Sequence, residues 1–184
     1  PEGLSGITWA GKDRYLAVSD RGGRAYVFEM AMDPSDGELG EPGVVREFRL
    51  KGLDKGDVEG CALDPLEKTR LWVSDENDTS VGLFSAVDGG RISTMNLGEA
   101  FPGVRRNRSL ESLSISPDGL EMWTANEDTL SGDGGTASRG RGGKVRLQRF
   151  TRVAASREWK RERQIEYATD TVGGEDYSGA SRNG

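Results

Sequence analysis

The chain has 184 residues, 34% hydrophobic and 30% charged, with 27 glycines, 6 prolines and a formal net charge of −6. With one cysteine, Cys61, and no histidine, it excludes a disulfide framework, Ser-His-Asp or Cys-His catalysis within the chain, and histidine-based zinc sites. No apolar run approaches the roughly 20 residues of a membrane-spanning helix, so a span is not expected.

The first predicted unit opens with Leu4-Ser5-Gly6-Ile7, a strand over about 5–9, and turns at Ala10-Gly11-Lys12-Asp13. It continues through Tyr15-Leu16-Ala17-Val18-Ser19-Asp20 into strands at about 24–30 and 44–50. The second unit repeats the plan: a strand at about 59–63, a turn at Asp64-Pro65, then Leu71-Trp72-Val73-Ser74-Asp75 and strands at about 80–86 and 91–97. In the third unit the first strand covers about 111–116, with Leu113 and Ile115 alternating against serines, and Ser116-Pro117-Asp118-Gly119 supplies the turn. Met122-Trp123-Thr124-Ala125-Asn126 follows, then strands at about 144–150 and 158–166. Trp72 and Trp123 share one register and are expected to pack between units. Between the second and third strands, the third unit carries a glycine-rich insertion, 128–143, predicted to be flexible.

A repeat of about 50 residues with four short strands per unit predicts an all-β protein, a β-propeller of four-stranded antiparallel blades. The expected boundaries are blade 1 at about 4–50, blade 2 at about 58–97 and blade 3 at about 110–166. A fourth blade opens at about 175–184, where Tyr177-Ser178-Gly179-Ala180 restates Leu4-Ser5-Gly6-Ile7. The expectation is therefore an incomplete propeller, continued past Gly184 or completed by self-association. Cys61 is expected to be a buried thiol. The basic stretch from Arg139 to Arg163 reads as a solvated outer strand pair, and no nucleic-acid partner is expected.

Antiparallel pairing places the start of a blade's first strand beside the end of its second. Those positions are polar in every unit: Ser5 with Asp20 and Arg21, Glu59 with Asp75 and Glu76, Glu111 with Asn126 and Glu127. If the first strand is innermost, Glu59 and Glu111 converge on the axis and repel unless a divalent cation compensates them. An oxygen-only donor set favours calcium or magnesium. Asp75, Asn126 and Asp20 are further candidate ligands, with turn capping through their own side chains as the alternative. Arg105, Arg106 and Arg108 precede Glu111, and Arg21 reaches the same face, so these four are the candidate holders of an anionic substrate. Glu59 and Glu111 would ligate the cation or act as base.

Several segments resemble the bacterial family known as esterase-like activity of phytase. They are Leu4-Ser5-Gly6-Ile7-Thr8-Trp9, Val18-Ser19-Asp20-Arg21-Gly22, Asp57-Val58-Glu59-Gly60 and, most strongly, Asn107 to Gly119 with Ala125-Asn126-Glu127. The resemblance implies a β-propeller, usually exported to the periplasm or outside the cell, acting as a hydrolase of phosphate or carboxylic esters. The chain is also loosely similar to gluconolactonase-type propellers, which would make Glu59, Asp75 and Asn126 metal ligands and a lactone the alternative substrate. The expected function is hydrolysis of a small anionic or ester substrate dependent on a divalent cation, with calcium the expected ion; the rival reading is a non-catalytic propeller that binds a ligand or protein on the same face.

Overall fold

A computed structural model describes residues 1–138 and 140–171; Arg139 and the expected fourth blade at 175–184 lie outside the described residues. All regular structure among them is strand. The first sheet is β1 (Leu4–Gly11), β2 (Arg14–Ser19), β3 (Arg24–Glu29) and β4 (Gly43–Arg49). The second is β5 (Val58–Leu63), β6 (Arg70–Asp75), β7 (Ser80–Ser85) and β8 (Arg91–Asn96). The third is β9 (Ser114–Ile115), β10 (Glu121–Ala125), β11 (Lys144–Arg152) and β12 (Trp159–Ala168). Each sheet is a four-stranded antiparallel meander in sequence order. Three such sheets side by side form an arc of β-propeller blades.

The middle sheet is buried on both faces, which is why β6 and β7 are nearly continuous apolar runs. Leu71, Val73 and Phe84 meet Leu16, Val18 and Ala25 of the first sheet. Alternate residues, Trp72 and Leu83, pack against Leu113, Met122 and Phe150 of the third. Cys61 lies in the first of these cores, and burial pushes its thiol up to about 12. Trp72 packs between sheets as expected. Trp123 alternates with buried Met122 and is only partly buried, its Nε1 donating to Glu121 at 3.2 Å. The last strands β4, β8 and β12 are mostly exposed and carry charged residues, which guards an unpaired edge.

The inner strands approach closely because they carry glycine. A Cβ on Gly6 would stand 2.7 Å from the carbonyl oxygen of Glu59, and one on Gly60 would stand 2.6 Å from the carbonyl carbon of Ser112. β1 therefore lies directly against β5, and β5 against the chain entering β9.

Each inner strand also carries an irregularity. Leu4 pairs with Ser19 and Ile7 with Ala17, while Val58 pairs with Asp75 and Cys61 with Val73. In the third sheet an isolated bridge joins Leu110 to Asn126. Ser19, Asp75 and Asn126 are thus equivalent, and Asp20 falls in line with Glu76 and Glu127. The backbone repeats the point: N–H groups of Asp20, Glu76 and Glu127 donate to carbonyls of Gly3, Asp57 and Ser109 at 2.9, 2.8 and 2.7 Å.

Away from the inner strands, Arg152 clasps the second and third sheets. Its guanidinium makes two bonds to the Asp64 carboxylate, at 3.2 and 2.6 Å, and stacks over Trp159 at 4.4 Å. Trp72 Nε1 donates to the same carboxylate at 3.1 Å. Burial alone would raise the Asp64 pKa, but the bonds from Arg152, Trp72 and the Leu66 amide outweigh it and hold the carboxyl below its usual value. The Arg152 and Asp64 side chains are 5% and 4% exposed. Removing one member strands the other charge, so Arg152→Ala should lower the unfolding free energy by roughly 3–5 kcal/mol, read from urea denaturation with an unchanged slope. An effect below about 1 kcal/mol, the range of exposed pairs, would show that the clasp carries no load.

Candidate metal centre

The close approach of the inner strands brings carboxylates together. Val58, Leu110 and Leu4 are equivalent, so the residues that follow, Glu59, Glu111 and Ser5, occupy one position in successive sheets. Asp57 precedes β5, and Glu76 and Glu127 follow β6 and β10. Two triads result, Asp57-Glu59-Glu76 and Glu76-Glu111-Glu127, each with one carboxylate oxygen per residue and all three within 4.8 Å of one another. Glu76 belongs to both. Glu76 and Glu127 are only 4% and 8% exposed, whereas Asp57, Glu59 and Glu111 are half-buried.

The electrostatics follow from this crowding. Glu111 is pushed up to about 7, first by loss of water and then by Glu59, Glu127, Glu76 and Asp57. Glu76 also rises to about 7, chiefly through burial, although the Ser109 amide donates to its Oε1 at 2.7 Å and opposes the shift. Glu59 is raised by burial and by the charges of Asp57 and Asp20, against the hydrogen bond it accepts from Ser5. Like charges held this way call for protons or a cation.

The other expected ligands are placed differently. Asp75 Oδ1 accepts from the amides of Asn77 and Asp57 at 3.1 and 3.3 Å, capping the turn after β6. Burial raises its pKa. Asn126 Oδ1 accepts from the Arg146 amide at 2.7 Å, and its Nδ2 donates to the Asp128 carbonyl. Asp20 sits 3.8 Å from Arg21. Neither triad contains Asp20 or Asp75.

Two of the candidate arginines bind the insertion. Arg105 donates to the carbonyls of Thr129 and Gly134 at 3.3 and 3.2 Å, and Arg108 pairs with Asp128 at 2.6 Å. The Asp128 carboxylate also accepts the amides of Thr129 and Ala137, so Asp128, Thr129 and Gly134 of the insertion are fastened to the loop before Glu111. Arg106 and Arg21 are exposed. Glu76 and Glu127 are the residues that strand spacing alone does not single out. Their signal is an acidic residue within two positions of the end of the second strand, Glu76 next after β6 and Glu127 two past β10.

Fold and site together define a propeller arc with an acidic inner face. The chain belongs to the Phytase-like family, described as esterase-like activity of phytase, whose pattern matches residues 2–182. Solved structures similar to it include a functionally unknown protein from Desulfotomaculum acetoxidans, at 14% identity and a TM-score of 0.49, covering 89% of this chain and 42% of that one. The β-propeller domain of Cps50 (Swd1) from Myceliophteria thermophila is similar at 9% identity and a TM-score of 0.47, covering 88% of this chain and 58% of that one. Hydrazine synthase of Kuenenia stuttgartiensis is similar at 12% identity and a TM-score of 0.44, covering 92% and 51%. The chain thus spans only 42%, 58% and 51% of these three chains. No curated protein matches it. Among the described residues no helix is long and apolar enough to cross a membrane.

Packing these acids has a pH signature. Glu76 and Glu111 have ordinary values of 4.5 and sit at about 7 in the folded chain. Between those limits the folded state keeps protons that the unfolded state releases, so stability falls as pH rises through this window and levels off above it. In chelator, the melting temperature should decline from pH 4.5 to pH 7, and Glu111→Gln should flatten the decline. A profile rising through the same window, or one that Glu111→Gln leaves unaltered, would count against the clustering.

Proposed function

We propose that the acidic face binds a divalent cation, calcium by the hardness of its donors, and hydrolyses a phosphate ester or related ester beside it. The supporting observation is the pair of triads sharing Glu76, because only oxygen donors are offered and five carboxyl groups meet in one place. In this reading Glu76, Glu111 and Glu127 hold the cation, with Asp57 completing the donor set and Glu59 left beside it. When bound, the cation supplies neutralising charge and polarises a substrate oxygen.

The chain's own residues do the rest. Glu59, half-buried at the edge of the cluster, accepts the proton of the attacking water. Exposed Arg21 and Arg106 hold the anionic part of the substrate by forked hydrogen bonds. Arg105 and Arg108 act at one remove, fixing the loop that leads into Glu111. Asp75 and Asn126 shape the strand ends from which Glu76 and Glu127 project. Binding displaces protons from Glu76 and Glu111, so affinity should climb as pH rises through about 7. Periplasmic or extracellular action suits this reading, because calcium sites of extracellular modules work at about 10⁻⁴–10⁻³ M.

Calorimetry with calcium chloride tests the donor set. Glu76→Gln should weaken binding by about tenfold or more, because calcium affinity follows the ligand charge count, and Glu59→Gln with Glu111→Gln should abolish it. Turnover of a chromogenic phosphate ester should stop in chelator and return with calcium. Unchanged calcium affinity in Glu76→Gln and in the double variant would refute the proposal.

A further inference from the structure

Thr79 closes the turn between β6 and β7 and stands where Gly23 stands in the first sheet. Each lies three residues past an equivalent acid, Glu76 or Asp20, and each directly precedes the third strand of its sheet. Their carbonyls also accept equivalent bonds, Gly23 from the Leu50 amide at 2.8 Å and Thr79 from the Leu97 amide at 2.9 Å. The backbone is left-handed at both positions, with φ of 56° at Gly23 and 48° at Thr79. Glycine adopts that conformation freely, whereas a β-branched residue there is strained.

The threonine side chain does what glycine cannot. Thr79 is 8% exposed, and its Oγ1 accepts the hydroxyl of Ser109, itself 1% exposed, at 2.9 Å across the seam between the second and third sheets. Ser109 is also bonded to two acids of the cluster. Its amide donates to Glu76 Oε1 at 2.7 Å, and its carbonyl accepts the amide of Glu127 at 2.7 Å. Glu111 follows two residues along the chain. One buried serine thus holds Glu76 and Glu127 and leads into Glu111, the three acids of one triad.

We propose that Thr79 is a positioning residue of this triad. Its hydroxyl fixes Ser109, and Ser109 fixes the Glu76 carboxylate and the strand end that carries Glu127. Backbone strain at a buried residue persists only where its surroundings over-determine it, and it clusters at binding sites. A group one step behind a ligand sets that ligand's orientation, and losing it typically costs roughly 10–100-fold in metal affinity. The inference rests on the cation reading above and adds the residue that keeps its shared ligand in place.

Three variants of the 184-residue chain test it, by calorimetry with calcium chloride and by amide hydrogen exchange in chelator. Thr79→Gly supplies the residue of the first sheet and relieves the strain. Thr79→Val keeps the shape and loses the acceptor, and Thr79→Ser keeps the hydroxyl. The Gly and Val variants should bind calcium about 10–100-fold more weakly, and their Ser109 amide should exchange faster. Thr79→Ser should keep both readouts near those of the unaltered chain. A merely structural threonine would lower the melting temperature of the Gly and Val variants and leave calcium affinity alone, and that result overturns the proposal. So does a Thr79→Ser variant that behaves like Thr79→Val. If the unaltered chain binds no calcium, the cation reading fails by itself. The Ser109 exchange rates then still decide whether Thr79 positions Glu76: faster exchange in the Gly and Val variants supports it, and unchanged exchange overturns it.

Discussion

Two missing side chains set the geometry of the inner face. Gly6 and Gly60 let neighbouring inner strands touch backbone to backbone, and any Cβ there would meet main-chain atoms that have no room to yield. Main chain at that spacing carries the side chains just before each glycine with it. Ser5 is thereby hydrogen-bonded to Glu59, and Glu59 is close enough to raise the pKa of Glu111. A wider separation would give the carboxylates water, and their repulsion would fade into solvent screening. The same glycines that permit packing therefore create the electrostatic conflict.

That conflict persists only if the rest of the chain resists it. The middle sheet is pinned from both sides, by Leu16 and Val18 toward one neighbour and by Met122 and Phe150 toward the other. The Asp64–Arg152 pair adds a directional tie between the second and third sheets. Carboxylates on mobile loops would rotate apart. On strand ends backed by two cores they stay, and the free energy appears instead as raised pKa values at Glu76 and Glu111. Rigidity in the core and frustration at the inner face are two sides of one arrangement.

Much of this was legible in the sequence. The related segments Leu4-Ser5-Gly6, Val58-Glu59-Gly60 and Leu110-Glu111-Ser112 and the spacing shared by Trp72/Asp75 and Trp123/Asn126 locate the blades, and Glu59 and Glu111 stand at equivalent positions because the repeat places them there. What escapes a strand pattern is the irregularity within each first strand, where two pairings are separated by unequal numbers of residues on the two chains. One residue of offset turns a side chain to the opposite face of a sheet. That irregularity is alike in the first two sheets, and it is the longer β5–β6 hairpin, in which Leu63 pairs with Leu71 while Trp9 pairs with Tyr15, that shifts Asp20 out of line with Asp75 and into line with Glu76. It also explains why Asp75, whose side chain caps a turn, was as plausible a ligand in sequence as Glu76. Arg105 and Arg108 were misleading for another reason: their partners, Thr129, Gly134 and Asp128, lie in an insertion that has no counterpart in the other units.

The substitution of serine for glutamate at the first inner-strand position has a physical logic of its own. A carboxylate at position 5 would stand beside Glu59, where the Ser5 hydroxyl now donates to it. It would add one more like charge to a region where Asp57, Glu76, Glu111 and Glu127 already oppose ionisation. Serine removes that charge and supplies a hydrogen-bond donor to the crowded Glu59 carboxylate. It does so at the edge where the acidic cluster gives way to an apolar groove of the first sheet. The repeat thus generates three equivalent positions, and breaking its symmetry at one of them replaces a charge with a hydroxyl that donates to Glu59.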